Sequence, residues 1–192
     1  AVGIDRDSTL KELLVAIREK YDTFSGVSMV ELGNQRMAGN KEYSPTTGKK
    51  YFSSLEMEHT SIDMNGEDGA LVRNLCTEIT DILPADIVTN FGTSEHVADQ
   101  QACFKNIHNF CKQGGIMFHL VPPQGAWPGH CPHYYTQDFF KRLAKANGYK
   151  VLKNEIFDDT STGAGRKYVG KTSLLLCILE KQNDNKFKGL GE

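Results

Sequence analysis

Residues 85–123 read ADIVTNFGTSEHVADQQACFKNIHNFCKQGGIMFHLVPP. The segment opens with a short apolar run, ADIVTNFG, and closes with a second one, GIMFHLVPP, which two prolines end. The residues between the two runs are typical of a helix, and Gly114 and Gly115 follow it. Apolar strands that alternate with helices predict a mostly parallel sheet covered on both sides. This stretch therefore predicts an α/β fold.

The flanking sequence continues the alternation. Upstream, the pattern predicts an amphipathic helix within residues 7–21, a strand in VSMVELG (27–33), a helix in KKYFSSLEME (49–58), and strands in HTSIDM (59–64) and GALVRNL (69–75). Downstream, Thr136 and Gly148 bracket a predicted helix, TQDFFKRLAKANG. Two further strands, YKVLKNEIF (149–157) and SLLLCILEK (173–181), have little helix between them, so we expect an antiparallel pair at one edge of the sheet.

The length of 192 residues predicts a single domain over residues 1–192. Residues 1–24 form its N-terminal helix, which could act as a lid over a pocket. Residues 182–192 are polar and follow the last strand, so we expect a flexible tail there.

Composition limits the classes of partner. The formal net charge is -2 and the sequence pI is about 6.3, which disfavours a protein that binds nucleic acid by neutralising phosphates. No apolar run is long enough to predict a membrane span, and the first residues lack the layout of a secretory signal, so we expect a cytoplasmic protein with no membrane partner. A small-molecule partner fits better, and a homo-oligomer stays open.

Polar residues follow several of the predicted strands, where ligands bind in doubly wound sheets. They lie in residues 31–35, 63–65, 74–75, 90–96 and 119–135. Asp63 could accept hydrogen bonds from both ribose hydroxyls of a nucleoside cofactor. A turn or helix-capping aspartate is an equally good interpretation of this residue alone.

Four motifs in this order, VELG, SIDMNG, ADIVTNFGTSEHV and KQGGIMFHLVPP, resemble those of class I methyltransferases, which use S-adenosylmethionine. The resemblance covers about residues 25–180. It implies a Rossmann-like, doubly wound sheet of seven mostly parallel strands, with an antiparallel last strand and helices on both faces. S-adenosylmethionine is the cofactor that it implies.

The resemblance also implies cofactor contacts at the end of the first strand, where Glu31 and Gly33 would hold the methionine part. The family's pattern of acid-x-Gly-x-Gly is altered here to Glu31-Leu32-Gly33-Asn34-Gln35. Because a side chain replaces the second glycine, the loop backbone is less able to approach the cofactor closely. Asn34 can adopt the left-handed conformation, and Gln35 offers an amide donor to a carboxylate. A modified cofactor loop and a related domain that has lost binding are both compatible with this stretch.

The remaining contacts implied by the resemblance follow the later strands. Asp63 and Met64 would lie at the ribose, Asn74 and Leu75 beside the adenine, Asn90, Phe91 and Gly92 on the sulfonium side, and Glu95 and His96 at the start of the next helix. His96 fits a structural role equally well.

The loop after the fifth predicted strand carries candidates for catalysis. His119, His130 and His133 are candidate bases, because histidine titrates near neutral pH. Trp127, Tyr134 and Tyr135 could line a substrate pocket. The alternative is a proline-rich loop that buried aromatic rings hold against the sheet.

The histidines and Cys131 also invite a metal-binding interpretation, but their spacing is unlike that of the usual zinc motifs, so we assign no metal. The sequence favours methyl transfer from S-adenosylmethionine to an oxygen or nitrogen of a small organic molecule. The alternative is a non-catalytic methyltransferase-like domain that binds a nucleoside or a protein partner, which the altered glycine loop favours.

Overall fold

The computed structural model describes residues 7–37, 46–158 and 169–191. The helices are α1 (Asp7–Tyr21), α2 (Gly48–Ser54), α3 (Gln100–Phe110) and α4 (Gln137–Asn147). The strands are β1 (Ser28–Leu32), β2 (Arg36–Met37), β3 (Thr46–Thr47), β4 (Glu58–Ile62), β5 (Ala85–Phe91), β6 (Cys111–Val121), β7 (Tyr149–Asp158) and β8 (Ser173–Lys181). Short 3₁₀ turns lie at Glu67–Gly69 and Ser94–His96.

The central sheet has six strands in the order β4-β1-β5-β6-β8-β7. Strand β1 pairs in parallel with β4 and β5, and β5 pairs in parallel with β6. Strand β8 is antiparallel to both β6 and β7, which confirms the predicted edge pair. In the sheet, β4 lies on one side of β1 and β5 lies on the other. The strand order therefore reverses between β1 and β5, and doubly wound folds bind their ligands at such a point.

The sheet has six strands rather than seven, and the difference lies in GALVRNL. That segment begins in the 3₁₀ turn, where Asp68 has a φ of 53°. Only Leu71 forms a bridge, to Ile62, and Leu71 and Val72 are 37% and 52% exposed. The prediction of a strand here is wrong, because pairing with β4 is limited to this single bridge.

The predicted boundaries of the third helix are also wrong. The Asp99 side chain accepts a hydrogen bond from Ala102 N and begins α3, so Glu95 and His96 lie in a separate 3₁₀ turn. At the other end the helix stops at Phe110, and β6 begins at Cys111 instead of at Gly115.

Helices cover both faces of the sheet, as predicted. Leu13 and Ile17 of α1 and Phe52 of α2 pack in one core cluster, against strand residues that include Phe118. On the opposite face, α3 and α4 form a second cluster that contains Phe104 and Phe140. The antiparallel β8 contributes to both clusters, since its side chains alternate between the two faces.

The N-terminal helix belongs to the body of the fold. Leu10, Leu13 and Ile17 are buried in the core cluster on this face of the sheet, and Lys20 pairs with Glu180 at 2.7 Å. No described residue of α1 lines the cavity over the carboxyl ends of β1, β4 and β5. This placement favours a structural role for α1 over the predicted lid.

The C-terminal residues, for which the sequence predicts flexibility, contact α3 and α4. Asn147 Nδ2 donates to Gly189 O at 2.9 Å, and Lys188 N donates to Asn147 Oδ1 at 2.7 Å. Phe187 and Leu190 pack against the second core cluster. These contacts argue against fraying over the described part of the tail.

No helix in the described ranges is long and apolar enough to cross a membrane.

Candidate functional site

A cleft of about 420 Å³ lies over the carboxyl ends of β1, β4 and β5, at the point where strand order reverses. The side chains and backbone that line it come from four segments of the chain. They are Gly33, Gln35, Ile62, Asp63, Met64, Arg73, Asn74, Leu75, Cys76, Gly92, Thr93, His96, Val97 and Ala98. Eight of the residues predicted to contact cofactor are therefore brought together here.

Gln35 is the residue that stands in the position of the missing glycine. Its buried Nε2 donates to Phe91 O at 2.9 Å and to Leu32 O at 3.2 Å. Because both partners are carbonyl oxygens, the amide nitrogen must face them, which leaves Oε1 on the other side. Oε1 is buried and has no hydrogen-bond partner among the described residues. The free hydrogen-bonding atom of the Gln35 side chain is thus an acceptor, where the sequence interpretation expected a donor.

The Gln35 side chain also crosses the space above Gly33. Gly33 has a φ of +84°, and a Cβ built there would lie 2.6 Å from Gln35 Nε2 and 2.8 Å from Thr93 Oγ1. A side chain at position 33 would therefore displace the amide that joins the ends of β1 and β5. In this altered loop, the Gln35 side chain occupies the space beside Gly33 that would stay empty if residue 35 were glycine.

Asn34 fastens this loop to Asp63. Asn34 N donates to Asp63 Oδ2 at 2.8 Å, and Asn65 N donates to Oδ1 at 3.0 Å. Asn34 Nδ2 donates to Asp68 Oδ2 at 2.8 Å. Asn34 is not among the residues with positive φ, so the expected left-handed conformation does not occur. The Asp63 carboxylate is held in place at the rim of the cleft, with lone pairs left on each oxygen.

The side of the cleft beyond Asp63 is largely apolar. Met64 is 65% exposed and Leu75 is buried, and both line the cavity. Asn74 lies beside them, although its Oδ1 already accepts from Cys76 N at 2.9 Å. These residues provide an apolar slot with a fixed backbone, which suits a planar ring.

Glu31 lies outside the cleft, contrary to the predicted role in holding the methionine part. Its side chain is fully buried beneath the start of α2, where a Cβ at Gly48 would collide with the carboxylate. His59 Nε2 lies 3.4 Å from Glu31 Oε2. Burial raises the pKa of Glu31, and His59 partly offsets this effect. Glu31 therefore supports the packing of β1 against α2 and has no face toward a ligand in the cleft.

Asn90 and Phe91 are also buried behind the cleft, and of this predicted trio only Gly92 lines it. Asn90 Nδ2 donates to Ser94 Oγ at 2.8 Å, and Ser94 N donates to Asn90 Oδ1 at 3.0 Å. Asn90 thereby fixes the turn that carries Glu95 and His96.

Glu95, His96 and His130 form a cluster at the end of the cleft nearest Gly92. The Glu95 side chain is fully buried, and neither carboxylate oxygen has a hydrogen-bond partner in the part of the chain that the structure describes. Burial raises the pKa of Glu95 to about 7. The rings of His96 and His130 lie 5.1 Å apart. Burial lowers the pKa of His96, and the charge of the nearby His130 lowers it further.

His119 is enclosed in the core. Its Nδ1 lies 3.1 Å from Asn90 Nδ2, and its ring lies 5.0 Å from the ring of Phe140 and 5.8 Å from that of Phe104. Burial lowers the pKa of His119 to about 3. Since the side chain is 1% exposed and does not line the cleft, this placement argues against the predicted role as a base.

The aromatic residues of the loop after β6 hold it against the sheet. Tyr135 is buried, with its hydroxyl 2.6 Å from Gln100 Oε1 and 2.9 Å from Ser94 Oγ. Trp127 Nε1 donates to Ser173 O at 2.8 Å, and Tyr134 OH donates to Trp127 O at 2.6 Å. None of the three lines this cleft, although Tyr135 lines a separate cavity past the end of β6, and their hydrogen bonds support the pinned-loop interpretation.

The two loop histidines differ in their surroundings. His130 is exposed beside His96, and His133 N donates to Glu95 O at 3.3 Å. Both lie near Glu95 and His96, at the same end of the cleft, and their role as bases stays a prediction.

Sequence analysis assigned no role to six residues that line the cleft, although Thr93 lies in the candidate segment 90–96: Ile62, Arg73, Cys76, Thr93, Val97 and Ala98. Thr93 Oγ1 donates to Leu32 O at 2.9 Å and so joins β1 to the loop after β5. Its position directly after Gly92 was the signal that could have identified it. Arg73 pairs with Asp81, a contact that no sequence pattern indicated.

A ligand cleft at the switch point of a doubly wound sheet, with an aspartate after the second strand of the sheet, defines a nucleoside-cofactor fold of the class I methyltransferase type. The chain belongs to the methyltransferase domain family, whose sequence model matches residues 2–154. Membership confirms the predicted class and its cofactor, S-adenosylmethionine. No functionally curated protein matches the chain significantly.

Solved structures with the same fold include three bacterial proteins. One is the 1,6-didemethyltoxoflavin-N1-methyltransferase of Burkholderia thailandensis, with a TM-score of 0.60 and 11% identity over 88% of this chain and 76% of that chain. Another is the N-methyltransferase NodS of Bradyrhizobium japonicum, with a TM-score of 0.57 and 10% identity over 93% and 90%. The third is TehB of Haemophilus influenzae, with a TM-score of 0.60 and 14% identity over 89% of this chain and 62% of that chain. At these identities the likeness is one of fold.

Proposed function

We propose that this protein transfers a methyl group from S-adenosylmethionine to an oxygen or nitrogen of a small organic molecule. The observation that carries the proposal is the cleft over β1, β4 and β5, with the oriented carboxylate of Asp63 at its rim. A cavity of about 420 Å³ falls in the size range of small-molecule sites. Methyl transfer as the reaction is supported by the family.

The nucleoside end of the cofactor would lie between Asp63 and the apolar slot. Backbone N–H groups of Asn34 and Asn65 fix the Asp63 carboxylate, which retains lone pairs for the ribose hydroxyls. The adenine would stack against Met64 and Leu75, whose side chains both face the cavity. Asp63 and Met64 belong to SIDMNG, one of the motifs that carry the resemblance in sequence.

The amino-acid end would lie over Gly33 and Gln35. The unpaired, buried Oε1 of Gln35 is an acceptor that suits the positive α-ammonium group of the cofactor. Nε2 holds the amide by bonds to two carbonyl groups, so the acceptor is fixed in direction before any ligand arrives. Gln35 would thus make the contact to the amino-acid part of the cofactor that backbone groups make in a loop with two glycines.

When bound, S-adenosylmethionine supplies a methyl group that is already activated for transfer by its sulfonium. The chain's own residues then align the acceptor, exclude water and receive a proton if the acceptor atom carries one. His130 and His133 lie at the end of the cleft near Gly92, where that acceptor would enter. A role of either histidine as the base stays a prediction. The identity of the acceptor and the cytoplasmic location are predictions as well.

A second candidate function is that of a non-catalytic domain that binds only a nucleoside. The observation that favours it is the Gln35 amide above Gly33, which narrows the space available to the methionine part of the cofactor. In that case the adenosine slot would be retained and the amino-acid end would be blocked.

Calorimetric titration of three ligands separates the two functions. S-adenosylmethionine, S-adenosylhomocysteine and 5′-methylthioadenosine share the nucleoside, but the last lacks the amino-acid part. We expect the first two to bind in the micromolar range and methylthioadenosine at least roughly tenfold more weakly, because it cannot use Gln35. Equal affinity for all three would favour the nucleoside-binding domain.

Asp63→Ala provides the site control for this titration. The substitution should abolish binding of all three ligands, whereas Asp138→Ala on α4, which does not line the cleft, should leave it unchanged. Thermal unfolding of both variants shows whether each is folded. A folded Asp63→Ala protein with wild-type affinity would contradict the placement of the ribose.

A further inference from the structure

Three side chains near the acceptor end of the cleft offer ligand atoms of the kind that divalent transition metals prefer. One ligand atom from each of Glu95, His96 and His130 lies within 4.8 Å of the other two. His96 Nε2 lies 3.8 Å from Glu95 Oε1. Zinc bonds to imidazole and carboxylate of about 2.1 Å place tetrahedral ligand atoms roughly 3.4 Å apart, so small side-chain rotations would bring all three to one ion.

The Glu95 carboxylate gives an independent indication of a ligand. Its side chain is 0% exposed, and among the described residues both of its oxygens lack a hydrogen-bond partner. An isolated buried carboxylate is costly, because the ionised form has lost its hydration. A bound cation would remove this cost, whereas the neighbouring His96 and His130 alone leave both oxygens unpaired.

The cluster is held by surrounding hydrogen bonds. Asn90, Gln100 and Tyr135 bond to Ser94 and fix the 3₁₀ turn that carries two of the three ligands. On the other side, His130 N lies 3.0 Å from Trp127 O and 3.1 Å from Tyr134 OH. Metal sites depend on such supporting contacts to orient their ligands.

We propose that Glu95, His96 and His130 bind a divalent transition-metal ion, for which Zn²⁺ is the representative probe. Two imidazoles and one carboxylate leave at least one coordination position open. Since His96 lines the cleft, an ion held by these three residues would lie beside the end where the acceptor is proposed to enter.

The ion would hold an acceptor through one of its oxygen atoms and orient that atom toward the methyl group. This role rests on the proposed function, but binding of the ion does not. His130 then acts as a ligand and is not free to act as the base. The set differs from the residues weighed in the sequence, since His119 is in the core and Cys131 and His133 lie outside the cluster.

The test is a calorimetric titration of the chelator-treated, full-length protein with Zn²⁺, together with the absorption spectrum of the Co²⁺ form. We expect one ion per chain. Glu95→Gln, His96→Asn and His130→Asn should each weaken Zn²⁺ binding by at least roughly tenfold. Cys131→Ser and His133→Asn are matched controls from the same loop and should bind as the wild type does.

Several outcomes would overturn the proposal. They are the absence of Zn²⁺ binding by the wild type, wild-type affinity in Glu95→Gln, or a sulfur-to-cobalt charge-transfer band, which would move the site to Cys131. Titration of each variant with S-adenosylmethionine is run in parallel. Zn²⁺ binding without cofactor binding would refute the proposed function alone, and cofactor binding without Zn²⁺ binding would refute the metal site alone.

Discussion

Removing the imidazole of His119 should change how stability depends on pH. The folded protein holds this side chain in the core with a pKa of about 3, whereas the ordinary value is 6.5. Below about pH 6.5 the unfolded chain takes up a proton that the folded chain refuses, so the free energy of unfolding falls as pH falls. The contribution is fully present above 6.5 and is lost progressively down to about 3.

The magnitude follows from these two values. At 1.36 kcal/mol for each pH unit, the complete loss is about 5 kcal/mol, and the part that has occurred by about pH 5 is about 2 kcal/mol. Solvent screening does not reduce this free energy, because the His119 ring is buried between Phe104 and Phe140.

The assay is urea unfolding of wild type and His119→Asn at about pH 7.5 and about pH 5. Asn keeps an acceptor for Asn90 Nδ2 but cannot titrate. The variant will be less stable at both pH values because of the lost ring, but the gap to the wild type should narrow by about 2 kcal/mol at the lower pH. His133→Asn controls for the loss of a histidine outside the core.

Parallel pH dependence of wild type and His119→Asn would refute the reasoning. It would mean that the folded protein admits a proton or water to His119, and the residue would again be a candidate base.

Two further substitutions test the loop after β1 and the buried end of β8. Gln35→Leu should weaken S-adenosylmethionine binding roughly tenfold or more but change 5′-methylthioadenosine binding little, because only the former carries the ammonium group; an equal loss for both ligands in calorimetry would make Gln35 a purely structural residue. Lys181→Met should lower the free energy of unfolding by about 2–4 kcal/mol in urea denaturation, because the buried Lys181 Nζ donates to His108 O at 3.0 Å and to Cys111 O at 2.9 Å. Lys186→Met, at an exposed position, should have no such effect, and similar losses in both variants would contradict the buried role.

Local patterns in the sequence determined most of the secondary structure. Thr136 Oγ1 accepts from Phe139 N and begins α4, as its position before an amphipathic run predicts. The apolar runs of β5, β6 and β8 became central strands, because each is buried on both faces of the sheet. Capping and periodicity act over a few residues, so they can be seen in one sequence.

The tertiary structure decided which of the predicted site residues face the cleft. Glu31 and Asn90 stand at strand ends, where cofactor residues are expected, yet both side chains point into the core. Successive side chains in a strand alternate between faces, and the sequence does not show which face the loop beyond will leave open. Asp63 and Gln35 reach the cleft because they lie just past the last residues of β4 and β1.

The cluster of Glu95, His96 and His130 is the clearest case of a site that only the fold assembles. The turn after β5 and the loop after β6 meet because these two strands are parallel neighbours, so their carboxyl ends share one edge of the sheet. The sequence by itself determined the α/β class, the cofactor family and most of the segments that line the cleft. The fold decided which side chains from separate segments meet, because strand pairing brings together residues that no local pattern connects.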